Sequence, residues 1–305
     1  MISGLRIQQG LRVQQGLRVT PGLRRPGDAG FVGVLDQLSA SPILALGIQR
    51  LSGTSWGTFD GVTDPIATIY RADDADERTF SHGLDGLLDF AAIDDWLGES
   101  AGRWIRWHHQ RDDGGNSAVQ DTPASAPLYV SGQGPDFGGE SDTWFLRVAH
   151  QDRQLLTGGF SAFARILPRS AGEGNFGRII DKSTGGSGRN GFATYTQNTQ
   201  NVACNTAGDT VSVSAGNNSV LHNQYSNTLF TVNASSDGLV YVDNVERGSQ
   251  SIGAVSGITT TNDLIIGYSE GLSGREFDGL MDAVLLAPGV ISAEDRAILQ
   301  AGIGA

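Results

Sequence analysis

Residues 229–242 read Leu229-Phe230-Thr231-Val232-Asn233-Ala234-Ser235-Ser236-Asp237-Gly238-Leu239-Val240-Tyr241-Val242. Two apolar runs, Leu229–Asn233 and Leu239–Val242, flank the turn residues Ser235-Ser236-Asp237-Gly238, and Asp-Gly between such runs is a strong hairpin signal. The pattern extends outward from there. Thr143–His150, Phe160–Leu167, Arg178–Asp181, Gly191–Tyr195 and Thr210–Ser214 precede it as candidate strands, and Leu264–Tyr268 and Phe277–Leu286 follow, with Gly, Asn and Ser turns between them. Nearer the N-terminus, Ile66–Arg71 alternates as a strand and the acidic run 73–77 is a turn. Ser100–His109 is another strand, with Trp104, Arg106 and His108 on one side and Ile105, Trp107 and His109 on the other. Residues 31–52 supply apolar anchors around Ser41-Pro42 and read as a short helix or turn followed by a buried strand. Ser292 opens a short terminal helix, with Asp295 three residues on. Short strands at this spacing predict a mainly β, antiparallel jelly-roll sandwich with a helix at each end.

Composition bounds the function. Of 305 residues 43 are glycine, about twice the usual share, which suits a chain of many tight turns. No apolar window is long enough for a transmembrane helix, and the N-terminus has no apolar core of a signal peptide. The single Cys204 excludes an intramolecular disulfide and a cysteine-rich zinc site. A net charge of −12 argues against general nucleic-acid binding.

The charge is unevenly spread. Residues 1–27 hold Arg6, Arg12, Arg18, Arg24 and Arg25 and no acid, so the acidic excess lies entirely in residues 28–305. This basic arm is a repeat of period six: Gly4-Leu5-Arg6-Ile7-Gln8-Gln9, Gly10-Leu11-Arg12-Val13-Gln14-Gln15, Gly16-Leu17-Arg18-Val19-Thr20-Pro21, then Gly22-Leu23-Arg24-Arg25. On a helix the apolar positions scatter. In an extended chain the even period puts Leu5, Ile7, Leu11, Val13, Leu17 and Val19 on one face and Arg6, Arg12 and Arg18 on the other. Such a strip cannot bury its apolar face alone, so it is expected to dock on another protein or on copies of itself. Residues 1–27 are thus an anchoring arm and linker, and residues 28–305 a sandwich body.

The body resembles two known families. The hairpin continuing into Asp243-Asn244, the stretch Leu264-Ile265-Ile266-Gly267, the closing strand Phe277-Asp278-Gly279-Leu280-Met281-Asp282-Ala283-Val284 and the ending Ile291-Ser292-Ala293-Glu294-Asp295 resemble the concanavalin A-like, or laminin-G-like, jelly roll over residues 141–305. Residues 43–120 resemble a segment shared by α-L-arabinofuranosidase B catalytic domains (glycoside hydrolase family 54) and phage structural proteins. The matching pieces are Gln49-Arg50-Leu51-Ser52, Ile69-Tyr70-Arg71-Ala72-Asp73-Asp74, and Trp107-His108-His109-Gln110 through Gly115-Asn116. Together the resemblances imply one continuous sandwich.

They also frame the site. A glycosidase needs two carboxylates. The resemblance places the family's nucleophile at Ser183, on the strand Ile179-Ile180-Asp181-Lys182-Ser183, and its acid nearest to Glu270. With serine at the first position, a non-catalytic relative of the hydrolase fold is expected. Trp56, in the Gly53–Gly61 loop, and Tyr268 are candidate sugar platforms beside Glu270. Asp73, Asp74 and Asp76 are candidate calcium ligands, and Asp112 with Asp113 form a second acidic pair. His108 and His109 are adjacent, face opposite sides of a strand and do not chelate one ion together. Ser52-Gly53-Thr54-Ser55 lacks a P-loop context, and no organic cofactor is implied. The functional expectation is a virion structural protein of a bacteriophage or phage-like particle, assembled in the bacterial cytoplasm. Its arm binds capsid or tail proteins, and its sandwich, in a homo-oligomer, binds host-surface glycan or decorates the particle. A carbohydrate-active enzyme or soluble lectin is the alternative.

Overall fold

A computed structural model describes residues 32–138, 143–184, 190–206, 212–252, 260–269 and 272–303. The arm residues Leu5 to Val19 and Glu270 lie outside these. In chain order the elements are α1 (Val34–Gln37), β1 (Leu44–Gly47), β2 (Thr58–Phe59), β3 (Val62–Thr63), β4 (Ala67–Arg71), β5 (Asp76–Phe80) and α2 (Phe90–Leu97). Next come β6 (Gly102–Trp107), β7 (Ala118–Val119), β8 (Leu146–Val148), β9 (Phe160–Pro168), β10 (Arg178–Ser183), β11 (Gly191–Gln197) and β12 (Asn201–Thr206). The last are β13 (Ser212–Ser214), β14 (Ser226–Val232), β15 (Asp237–Val242), β16 (Val245–Ser251), β17 (Leu264–Ile266), β18 (Gly279–Pro288) and α3 (Ala293–Gly302).

Two antiparallel sheets form the sandwich. One has six strands in the order β1-β18-β9-β14-β15-β16; the other has ten, β13-β12-β11-β10-β17-β8-β7-β6-β4-β5. Leu44, Leu46, Phe160, Ile166, Val284 and Leu286 on the first meet Ile180, Phe192, Cys204, Leu264 and Trp107 on the second in one core. The six-stranded sheet is covered again on its outer side, where Ala45, Phe163, Leu229 and Leu285 pack under Val34 and Leu35 of α1 and Leu299 of α3. Burial on both faces explains why β18 runs almost continuously apolar instead of alternating. The Asp295 carboxylate ties these coverings together by accepting from both the backbone N–H and the hydroxyl of Ser39. Among the described residues, no helix covers the outward face of the ten-stranded sheet in this way.

The antiparallel sandwich and terminal helix stand as the sequence predicts, with three local differences. First, the expected alternation of Ser100–His109 breaks. A bulge pairs Thr68 with Arg106 and Ile69 with Trp104, so Trp104 and Trp107 both reach the core. Second, a helix also forms mid-chain. Asp89 accepts the Ala92 N–H as N-cap of α2, and Ile93 and Leu97 enter the core. Third, the β14–β15 loop turns at Asn233–Asp237, where Ser236 takes φ +69° and Asp237-Gly238 already begins β15. The two-residue turn is Asp243-Asn244, both at positive φ between the paired Val242 and Val245, which joins β15 to β16.

Candidate functional site

The ten-stranded sheet has an inward and an outward face, and β10 shows how residues divide between them. Ile180 joins the core, and Lys182 is opposite the core residue Phe192. Asp181 and Ser183 therefore stand on the outward face, one pleat repeat apart. Asp181 is flanked across the ladder by Ala193 on β11 and Ile265 on β17. Ala193, Tyr195 and Ala203 make a small apolar cluster of their own there, apart from the main core.

The Asp181 carboxylate is buried. Its Oδ1 accepts the Ser183 hydroxyl at 2.5 Å, and its Oδ2 has Arg178 Nε at 3.4 Å but no hydrogen-bond partner. Arg178 in turn lies over the Tyr195 ring, 4.5 Å from its centroid. Tyr195 meets Phe176, an aromatic 37% exposed, at 6.0 Å. The buried, ion-paired Asp181 carboxylate thus leads through Arg178 and Tyr195 to an exposed ring of the kind that takes the apolar face of a pyranose or furanose. Glu276, in the segment whose Arg275 carbonyl accepts the Arg178 N–H at 3.0 Å, is a second buried carboxylate whose Oε2 has no hydrogen-bond partner.

Tyr268 follows β17 and is half-buried, stacked on Phe145 with centroids 5.6 Å apart and Arg147 over the far ring at 5.7 Å. Gly267, at φ +89°, turns the chain into this position; a Cβ there would stand 2.1 Å from the Phe137 ring. Trp56 is not a platform. It is 8% exposed, packed in the core, with Nε1 donating to the Pro65 carbonyl at 2.9 Å. Its loop folds inward because Asp64 accepts the Trp56 N–H and the Ser55 hydroxyl.

The calcium candidates lie beside an arginine. Asp74 is engaged by Arg71 in a two-pronged ion pair, and Asp76 lies 3.7 Å from the same guanidinium. Among the described residues no three His, Cys, Asp or Glu side chains converge on a metal-sized space. The second acidic pair is also satisfied internally. Asp113 accepts from His109 Nε2 at 2.9 Å and pairs with Arg111 and Arg153, which holds its carboxyl down at about 2. His109 Nδ1 accepts the Ala45 N–H, so its proton sits on Nε2. His108, against Thr68 Oγ1, is pushed down to about 3 by burial and by Arg106. Both histidines brace the fold. On the inward side Lys182, the sole lysine, binds the Asn262 carbonyl at 2.7 Å, and burial pushes it down to about 8.

Sequence reasoning missed Asp181 and Phe176. Asp181 was legible as the one carboxylate of its strand, on the same parity as Ser183. Phe176 was not, because its exposure follows from tertiary packing.

The family model of the concanavalin A-like lectin/glucanases superfamily matches residues 142–295, half of the chain. The crystal structure of an arabinofuranosidase complexed with arabinofuranosyl-α-1,2-xylobiose is similar over 92% of this chain and 66% of its own, with a TM-score of 0.61 and 13% identity. A family-54 α-L-arabinofuranosidase soaked with a cyclic sulfate inhibitor covers the same shares at a TM-score of 0.59 and 12% identity. This chain thus spans just under two thirds of those enzymes, and at such identity the likeness is one of fold. No curated protein sequence matches. The expectation of a non-catalytic sandwich is corrected by these structures: both are glycosidases sharing the fold over 92% of the chain, and Asp181 puts a carboxylate on the strand whose Ser183 argued against one. The chain belongs to the concanavalin A-like lectin/glucanase superfamily.

Proposed function

We propose that the protein holds a glycan on the outward face of the ten-stranded sheet and cleaves a glycosidic bond there, with Asp181 as one of the two carboxylates. The observation that carries this reading is the Asp181 carboxylate, buried beside Arg178 and oriented by Ser183, on a sheet face that no helix covers among the described residues. Ser183 fixes one oxygen, so the carboxylate is oriented before a sugar arrives. Phe176 supplies the stacking ring. Glu276 and Glu270 are the candidates for the second carboxylate, whose task is to protonate the leaving oxygen or to activate water. The test is release of chromophore from aryl glycosides, an α-L-arabinofuranoside first, by the full chain and its Asp181→Asn, Glu276→Gln and Glu270→Gln variants. Turnover lost in Asp181→Asn supports the reading. No turnover of any aryl glycoside, with oligosaccharide binding indifferent to Asp181→Asn, refutes it.

The hexad repeat favours a complementary reading of where this happens. We propose that the arm anchors the protein, as a homo-oligomer, to the capsid or tail of a phage or phage-like particle, and that the sandwich meets host-surface glycan from there. Leu5, Ile7, Leu11, Val13, Leu17 and Val19 supply the docking strip, and Arg6, Arg12 and Arg18 its charged reverse. Deleting residues 1–27 is expected to leave a folded body that no longer sediments with particles on a density gradient. Normal incorporation of the truncated protein defeats the anchoring idea.

A further inference from the structure

Cross-strand pairing lays Asp181, Ile265, Arg147, Val119 and Arg106 in one row across β10, β17, β8, β7 and β6. Residues directly opposite each other in a ladder share a face, so both arginines stand on the same outward face as Asp181. At about 4.8 Å per strand, Arg147 lies roughly 10 Å and Arg106 roughly 19 Å along the row from Asp181. The far end of the row opens into a cleft of about 590 Å³, lined by Arg106 and Arg147 with Asn116, Gln120, Asp121 and Thr122.

Arg106 is the unusual member. Its guanidinium lies 4.7 Å from the Phe59 centroid and is half-buried, and no hydrogen bond or ion pair of its side chain is present among the described residues. Burial lowers its pKa, against the pull of Asp121, Glu77 and Asp60. A half-desolvated cation with unmade N–H donors is costly until an acceptor arrives, and a carboxylate matches the guanidinium fork with two parallel bonds. Arg147 shares its charge with Asp263 at 3.2 Å and stays 40% exposed. The cleft wall itself adds one exposed carboxylate, Asp121, and Asp263 already pairs with Arg147, so the pull on an anion falls chiefly to the unmade donors of Arg106. The Asn116 Oδ1 and the Thr122 hydroxyl add neutral hydrogen-bonding groups on the wall, while Gln120 is held by the Phe145 carbonyl and the Thr122 N–H.

We infer that this cleft is a subsite for a carboxylate-bearing saccharide, with Arg106 as its anion anchor. The inference rests on the glycan reading above and adds that the glycan is acidic. The test is calorimetric titration of the full chain with tri-galacturonic acid and with its methyl ester, alongside the neutral aryl arabinofuranoside. The acid is expected to bind and the ester not. Binding of the acid weakens about tenfold or more in Arg106→Gln and in Arg147→Gln, and on raising NaCl to about 0.5 M. If Arg106→Gln fails to fold, the exposed Arg147→Gln and the salt dependence decide the matter. Equal binding of acid and ester, or indifference to both variants, overturns the inference. Turnover of the neutral glycoside without any binding of the acid overturns the acidic subsite alone. Failure of both probes removes the glycan reading with it.

Discussion

The Ser183 hydroxyl donates to Oδ1 of Asp181 at 2.5 Å, between two outward-facing positions of β10. The serine that the resemblance places at a nucleophile's position thus orients a carboxylate one pleat repeat earlier on the same strand. Replacing Asp181 by Asn is expected to cut glycoside turnover by about 10²-fold or more, the range for losing an acid–base group. Ser183→Ala keeps the carboxylate and loses a hydrogen bond to a charged group, a loss of roughly 1.5–3 kcal/mol that shows as slower turnover with unchanged substrate preference. Steady-state rates of the two variants separate these roles.

Stability divides the same residues differently. Arg178 and Asp181 are both buried and 3.4 Å apart. Asp181→Ala leaves a buried guanidinium without its counter-charge and is expected to cost about 3–5 kcal/mol in urea unfolding. Asp181→Asn keeps the shape and costs less, so its loss of turnover is measured on a folded protein.

Acid should unfold the protein through its histidines before its carboxylates. Burial holds His108 at about 3 and pulls His109 below its ordinary value. In the unfolded chain both protonate near 6.5, so the unfolded state takes up more protons as pH falls below that point. The stability from His108 is complete above about pH 6.5 and drains as pH falls toward 3. The melting temperature is expected to hold steady from pH 7 to 8 and to drop steadily from 6.5 to 4. His108→Gln, which keeps a partner for Thr68, should flatten that slope.

Gly267 is expected to tolerate no side chain. At φ +89°, with a Cβ that would meet the Phe137 ring at 2.1 Å, Gly267→Ala combines backbone strain with overpacking. A loss of about 2–4 kcal/mol is expected. Because Gly267 aims the chain into Tyr268, weaker glycan retention should accompany the lower melting temperature.

Cys204 is fully buried, and desolvation raises its thiol well above the ordinary range. It should resist alkylation by iodoacetamide in the native protein at pH 8 and react completely once urea unfolds the core. Mass spectrometry of the two samples reads this directly.

The strands were legible where short apolar runs are bounded by turn residues, as in Leu229–Asn233 and Leu239–Val242, both faces of which are buried. They were least legible at β6, where a bulge sends Trp104 and Trp107 to the same side. The Asp243-Asn244 turn carried its signature openly, since both residue types accept positive φ, but the neighbouring Asp-Gly drew the turn to itself. Trp56 was misplaced because a Gly-rich loop suggests exposure, whereas Asp64 pins that loop inward. Asp181 is masked by the resemblance, whose nucleophile position falls on Ser183. The Arg106 cleft was beyond sequence altogether: Arg106, Val119 and Arg147 meet only through ladder pairing, and a residue's neighbours across a sheet are not written in its own strand.

The helical covering of the six-stranded sheet gives the molecule a back and a front. Val34 and Leu35 belong to that covering, so the chain enters the sandwich on the side turned away from Asp181 and Arg106. The cost of closing the back with helices is thus borne by one sheet alone, and among the described residues the face that carries Asp181 and Arg106 stays clear of that covering without any rearrangement of the fold.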